Sequence, residues 1–227
     1  MTLSALRPCR LFLFDLDGTL IDSRSDITYS LNLALERLKM ASLPESRLAD
    51  FVGDGVQKLV ERALRETTGI EPESSLTQDC VLLFKEEYGK HLLDRTRLCP
   101  HVEEALDRLS WADFGVVSNK PEYFSRRILE GLGLGNTFSI ILGGDSTSKR
   151  KPDPEPLLKA MDFCKAASSE TVMVGDSAVD MEAGKAAGVV TCGIQGGFQP
   201  AKRLETAGCD LIIGNLLELA ENFQPAI

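Results

Sequence analysis

Short, continuous apolar runs recur along this chain at Leu11–Phe14, Phe114–Ser118, Phe138–Leu142, Thr171–Gly175, Val190–Ile194 and Leu211–Ile213. A strand with one wet face alternates apolar and polar residues. A run that does not alternate predicts a strand buried on both faces. Between the runs, helical spacing predicts helices over Val102–Leu109, Glu122–Leu132, Glu155–Cys164, Val179–Ala187 and Pro200–Ala207. Strand–helix–strand repetition of this kind predicts an α/β fold with a doubly wound parallel sheet and helices on both sides.

One segment breaks the rhythm. From about Asp22 to Asp94 no convincing strand occurs. Apolar residues instead recur at helical spacing, as in Ile27, Leu31, Leu35 and Leu38, then Val56, Leu59, Val60, Ala63 and Leu64, then Val81, Leu82, Phe84 and Tyr88. A glycine-bearing turn, Phe51-Val52-Gly53-Asp54-Gly55, lies between the first two groups. This pattern predicts a core of residues 1–21 and 95–227, with residues 22–94 inserted as an all-helical module after the first strand. An insertion there hangs over the carboxyl ends of the strands, where open α/β sheets bind ligands.

Charge narrows the partners. The chain has 227 residues and a formal net charge of −9, with no stretch dominated by Lys and Arg. Nucleic acid and anionic membrane both need a concentrated basic face, so neither is expected as a partner. A small anionic substrate stays possible where a metal and a few placed cations reverse the field. The six cysteines (Cys9, Cys80, Cys99, Cys164, Cys192 and Cys209) form no C-x-x-C pair, and only His91 and His101 accompany them. Reduced thiols packed as small apolar side chains are expected, not a zinc site or a disulfide framework. No apolar run reaches signal-peptide or transmembrane length, which points to the cytoplasm.

The chemistry-bearing residues follow strand ends, and in a parallel sheet those ends share one rim. Asp15 and Asp17 leave the first run, followed by Gly18 and Thr19. Asp-Gly is also a common turn former, so the pair alone decides little. At the end of a buried strand, with Gly18 allowing close approach of a ligand, Asp15 can attack phosphorus and form an aspartyl-phosphate. Asp17 can protonate the leaving alcohol and later deprotonate water, and its carbonyl could reach a metal. Gly175-Asp176-Ser177-Ala178-Val179-Asp180 reads as a helix start, with Asp176 or Ser177 as the N-cap. Asp176 would also lie beside Asp15, and clustered carboxylates repel unless a cation joins them. An all-oxygen set favours Mg²⁺, with Asp180 behind it on a metal-bound water or on Lys151. Ser118-Asn119 at a helix N-terminus can cradle phosphate. Lys151, in a loop stiffened by Pro152 and Pro154, can neutralise phosphoryl oxygens in the transition state. Lys149 and Arg150 read as solvated surface charges.

The ordered set Asp-x-Asp-Gly-Thr, Ser-Asn-Lys, Lys-Pro-Asp-Pro and Gly-Asp-Ser-x-x-Asp resembles the four motifs of the haloacid dehalogenase superfamily and spans nearly the whole chain. The resemblance implies a Rossmann-like core, Asp15 as nucleophile and Asp17 as acid/base. It also implies Ser118 and Lys151 on the phosphoryl group, and Mg²⁺ held by Asp15, the Asp17 carbonyl and Asp176. Residues 22–94 look like that superfamily's small α-helical cap. The stretches Asp15–Ser23, Val52–Gly55, Val60–Leu64, Gly143–Asp145 and Lys151–Leu157 look like the phosphoglycolate phosphatases. Cys99 and His101 depart from that pattern, standing beside Pro100 where an aromatic and a glycine are more usual, so this loop is expected to differ in shape. His101 itself reads as a helix N-cap neighbour.

Asp17 argues against a dehalogenase, which needs no general acid. The lack of any histidine before His91 argues against a β-phosphoglucomutase, and a phosphonatase would need a Schiff-base lysine in the cap. The expectation is a Mg²⁺-dependent phosphomonoesterase hydrolysing 2-phosphoglycolate to glycolate and phosphate, as a monomer or homodimer. The alternatives are a phosphatase for sugar phosphates, nucleotides or pyrophosphate, then a phosphonatase or a non-catalytic phospho-ligand regulator. A glycolate carboxylate would need a partner from the cap, and Arg62, Lys58 and the Gly53–Gly55 turn are nominated.

Overall fold

The computed structural model describes residues 6–199 and 201–226. In chain order its strands are β1 (Arg7–Cys9), β2 (Leu11–Phe14), β3 (Ile21–Asp22), β4 (Arg97–Leu98), β5 (Asp113–Val117), β6 (Ile140–Leu142), β7 (Thr171–Gly175), β8 (Val190–Ile194), β9 (Leu211–Ile213) and β10 (Phe223–Pro225). The helices are α1 (Arg24–Arg37), α2 (Glu45–Ala49), α3 (Val56–Thr68), α4 (Ser74–Lys90), α5 (Val102–Arg108), α6 (Glu122–Gly131), α7 (Glu155–Cys164), α8 (Ala178–Ala187), α9 (Ala201–Ala207) and α10 (Leu219–Asn222).

Six strands form one sheet in the order β6-β5-β2-β7-β8-β9, with every neighbouring pair parallel. All four residues of β2 are buried, as its unbroken Leu-Phe-Leu-Phe run requires. Its side chains alternate between two cores. Phe12 and Phe14 meet Phe114 and Phe223 on one face, while Leu11 and Leu13 meet Leu157, Ala160 and Met173 on the other. Burying each such side chain stabilises the fold by roughly 1.5–3 kcal/mol. The chain moves from β2 outward to β5 and β6, then returns to the other side for β7. This reversal beside β2 opens a crevice at the carboxyl ends of the strands. The register aligns Phe14 with Val116 and Val174, so Asp15, Ser118 and Asp176 all emerge at that crevice.

The segment between β3 and β4 carries four helices and no strand. Helix α1 buries Ile27, Leu31 and Leu35, α3 buries Leu59, Val60, Ala63 and Leu64, and α4 buries Cys80, Phe84 and Tyr88. Both α1 and α3 pack on α4. The two ends of the segment are held together by the antiparallel pair β3–β4, where Ile21 faces Leu98. Asp26 adds a second tie, because its carboxylate accepts from the amide of Arg95 at 3.0 Å, the amide of Thr96 at 2.8 Å and the Thr96 hydroxyl at 2.7 Å.

Some expected bounds shift. β5 starts one residue before the expected Phe114 and ends before Ser118, and β6 lacks the expected Phe138 and Ser139. The latter two instead lead into the strand, with the Ser139 amide donating to the Phe114 carbonyl and Phe138 in the core. The expected helix start at Pro200 lies outside the described residues. The pairs β1–β10 and β3–β4 and the short helices α2 and α10 were not anticipated, since elements of two to five residues carry no period to read. Among the described residues, no helix is long and apolar enough to cross a membrane.

Candidate active site

Asp15 sits where β2 ends, its amide donating to the Val174 carbonyl at 2.8 Å. The Lys151 ammonium, 3% exposed, donates to Asp15 Oδ1 at 2.8 Å and to Asp180 Oδ1 at 2.5 Å. Asp15, Asp176 and Asp180 each offer a carboxylate oxygen, and these oxygens lie within 4.8 Å of one another. Helix capping is assigned to Ser177, not Asp176. Ser177 and Asp180 form a reciprocal capping box, which leaves the Asp176 carboxylate turned to the site. Gly18 fits because its φ of 85° is left-handed and a Cβ there would come within 2.3 Å of Asp176 Oδ2. The Phe198 amide donates to that same oxygen at 2.5 Å.

Burial pushes the Asp15 carboxyl up to about 6, against the pull of Lys151 and with help from the Asp180 charge. Asp176 is pushed well above the usual carboxylate range by burial and then by the charges of Asp15 and Asp180. Burial acts to lower the Lys151 pKa, but the Asp15 and Asp180 carboxylates outweigh it and raise it. A second buried lysine, Lys120, donates to both oxygens of Asp17 at 2.9 Å and is likewise raised, Asp17 outweighing burial. Ser23 also donates to Asp17. Four carboxylates (Asp15, Asp17, Asp176 and Asp180) thus face two ammoniums (Lys151 and Lys120). With all four ionised two negative charges are left over, so a divalent cation that displaces the protons of Asp15 and Asp176 fits this all-oxygen donor set.

The other sequence-predicted residues divide. Ser118 and Asn119 are buried at the end of β5, and the Asn119 amide nitrogen donates to the Lys151 carbonyl at 3.0 Å and the Gly53 carbonyl at 3.3 Å. Gly53, on the helical segment, therefore meets the sheet rim. Thr19 is fully buried behind Gly18. Arg62 does not join the site: it pairs with Asp54 and donates to the Phe51 carbonyl at 3.0 Å, holding the 51–55 turn together. Lys58 pairs with Glu61 at 2.8 Å on the same helix. Arg150, read as a surface charge, instead lies against Gly55, where a Cβ would come within 2.7 Å of its guanidinium.

Between the helical segment and the sheet rim lies a cavity of about 50 Å³. Asp15, Asp17, Ser118 and Lys120 form its floor, and Val52, Val56, Leu59 and Phe84 are among its walls. Two site residues escaped the sequence reading. Lys120 had a signal, its place in Ser118-Asn119-Lys120. Tyr88 had none, because only the packing of α4 over the rim brings it to the cavity. Its ring stacks on Phe84 at 5.3 Å, and Lys120 Nζ lies 4.8 Å from its centroid. Buried side-chain oxygens without a hydrogen-bond partner among the described residues are Thr19 Oγ1, Asn119 Oδ1 and the Tyr88 hydroxyl. Burial pushes the Tyr88 phenol up to about 12, so it stays a neutral O–H donor at ordinary pH.

Residues 12–194 match the family described as haloacid dehalogenase-like hydrolase. A phosphoglycolate phosphatase of Neisseria meningitidis is 39% identical over 217 residues, covering 93% of this chain and 92% of that protein. One from Nitrosospira multiformis is 34% identical, covering 96% of each. Among solved structures, a predicted phosphoglycolate phosphatase from Haemophilus somnus superposes with a TM-score of 0.87 at 29% identity, covering 93% of this chain and 96% of that one.

Proposed function

The chain belongs to the haloacid dehalogenase-like hydrolases, and from that premise we propose that it is a Mg²⁺-dependent phosphomonoesterase acting on 2-phosphoglycolate. The observation that carries the chemistry is the buried Asp15 carboxylate at the end of β2, held at 2.8 Å by Lys151 and clustered with the Asp176 and Asp180 carboxylates. Asp15 attacks phosphorus, a bond forms from its carboxylate oxygen, and the bond to the glycolate oxygen breaks. Asp17 takes up a proton before this step and gives it to that departing oxygen. It then takes one from the water that attacks the aspartyl-phosphate and releases inorganic phosphate. Lys120 and Ser23 grip the Asp17 carboxylate, which fixes its direction for both transfers. Ser118, Thr19 and the Gly18 backbone surround the phosphoryl group, and Lys151 opposes its charge. A bound Mg²⁺, held by Asp15, Asp176 and the Asp17 carbonyl with Asp180 adjacent, would neutralise the phosphoryl oxygens.

Two observations support the substrate. Relatives covering nearly the whole chain carry the name phosphoglycolate phosphatase. The cavity wall of Val52, Val56, Leu59 and Phe84 also closes over the Asp15 end of the sheet, which favours a small leaving group. In this reading residues 22–94 are a cap whose neck is the β3–β4 pair, and the enzyme works on a small metabolite in the cytoplasm. The test is phosphate release from 2-phosphoglycolate, with Mg²⁺ and with EDTA, by the wild type and Asp15→Asn. Asp15→Asn is expected to lower kcat at least about a thousandfold. Turnover that survives in that variant, or that is indifferent to EDTA, overturns the mechanism.

A further inference from the structure

Resting on 2-phosphoglycolate as the substrate, we infer that the Tyr88 hydroxyl is the cap's recognition group for the leaving group, donating its O–H to the glycolate carboxylate. The floor of the cavity serves the phosphoryl group, so any carboxylate must face the opposite wall. That wall is apolar at Val52, Val56, Leu59 and Phe84. The two cations nominated on the helical segment are committed elsewhere, Arg62 to Asp54 and Lys58 to Glu61. Lys120 lies on the floor and is committed to Asp17, so among the described lining residues the side-chain donor left to that end is the Tyr88 hydroxyl.

Tyr88 also has the marks of a built recognition group. It is 1% exposed, yet among the described residues its O–H has no acceptor, and a buried donor left unpaired is costly. The ring cannot drift to find one. Phe84 stacks on it at 5.3 Å with planes 10° apart, and Phe124 meets it edge-on at 5.3 Å and 82°. Phe84 comes from α4 and Phe124 from α6, so the phenol is fixed only where the helical segment meets the sheet side. A donor held in an apolar surround strongly rejects an analogue that lacks the matching acceptor.

The test compares kcat/KM for 2-phosphoglycolate and for ethyl phosphate, whose methyl group replaces the carboxylate. Tyr88→Phe removes one oxygen and keeps the stack. It is expected to lower the phosphoglycolate-to-ethyl-phosphate ratio by about tenfold to a hundredfold, the span for a hydrogen bond to a charged group. Phe84→Leu disturbs the same stack without touching the hydroxyl, and is expected to lower both esters together. A wild type that prefers phosphoglycolate, with Tyr88→Phe losing both esters in equal proportion, overturns the recognition role alone. A wild type indifferent to the carboxylate overturns the substrate reading and the role with it.

Discussion

Asp15 and Asp176 hold protons more tightly in the folded chain than in the unfolded one, because burial and neighbouring carboxylates penalise their ionised forms. The sign of the linkage follows. Their contribution to stability is full below the unfolded carboxylate value of 3.8 and is lost as pH rises, through about 6 for Asp15, with Asp176 shifted in the same direction. A divalent cation must displace those protons, so it binds better as pH rises. Carboxylates held low elsewhere, such as Asp22 beside Arg24, carry the opposite slope. They cancel when the protein is compared with itself in Mg²⁺ and in EDTA. The difference in Tm between those conditions is expected to grow from about pH 5 to pH 8. It should reach ~2.7 kcal/mol at about a hundredfold excess over Kd, or roughly 5–10 °C. Asp176→Asn should lose most of this gain, and a gain equal at both pH values would rule out proton displacement at these carboxylates.

Among the elements, α5 carries a legible cost. Its N-cap, His101, adopts φ 66°, the left-handed region, and its side chain makes no capping hydrogen bond. The imidazole is exposed and lies 3.7 Å from Glu104. The sequence departs here from a more usual glycine, and the backbone takes a conformation that glycine enters freely. His101→Gly is therefore expected to stabilise the chain by about 0.5–1 kcal/mol, raising Tm by ~1–4 °C in thermal denaturation. A lower Tm would mean the Glu104 contact outweighs the strain. The same scale explains what the sequence could reveal. β2, β7, β8 and β9 fall at their expected bounds because an unbroken apolar run is a local signal of two-sided burial. β3 and β4 left none, since a two-residue pair exists only because Ile21 and Leu98 are brought together from 77 positions apart. At the candidate site, Asp15, Lys151 and Asp176 were readable because each follows a strand end. Tyr88 was not, because on α4 it has the spacing of an ordinary core residue. Arg62 misled for a related reason, as a cation on α3 whose carboxylate partner, Asp54, only the folded 51–55 turn supplies.

At the scale of the whole molecule, the carboxylate cluster and the cavity wall come from different parts of the chain. The carboxylates belong to the sheet rim, while Val52, Val56 and Leu59 belong to the helical segment, so the cavity exists only where the two meet. The meeting is tied at the neck by β3–β4 and Asp26, and at the rim by Asn119 reaching the Gly53 carbonyl. If that assembled volume sets the size limit, trimming the wall should admit a larger ester without changing the chemistry. Val56 is the suitable place, since it is only half-buried and its truncation spares the core. Val56→Ala is expected to raise kcat/KM for 2-phospholactate, which adds one methyl to the leaving group, relative to 2-phosphoglycolate by about tenfold. The turnover of phosphoglycolate itself should fall little, because the floor of Asp15, Asp17 and Lys120 is untouched. An unchanged ratio would mean that the helical segment swings clear of the rim during turnover, and that closure, not the volume of the closed cavity, limits substrate size.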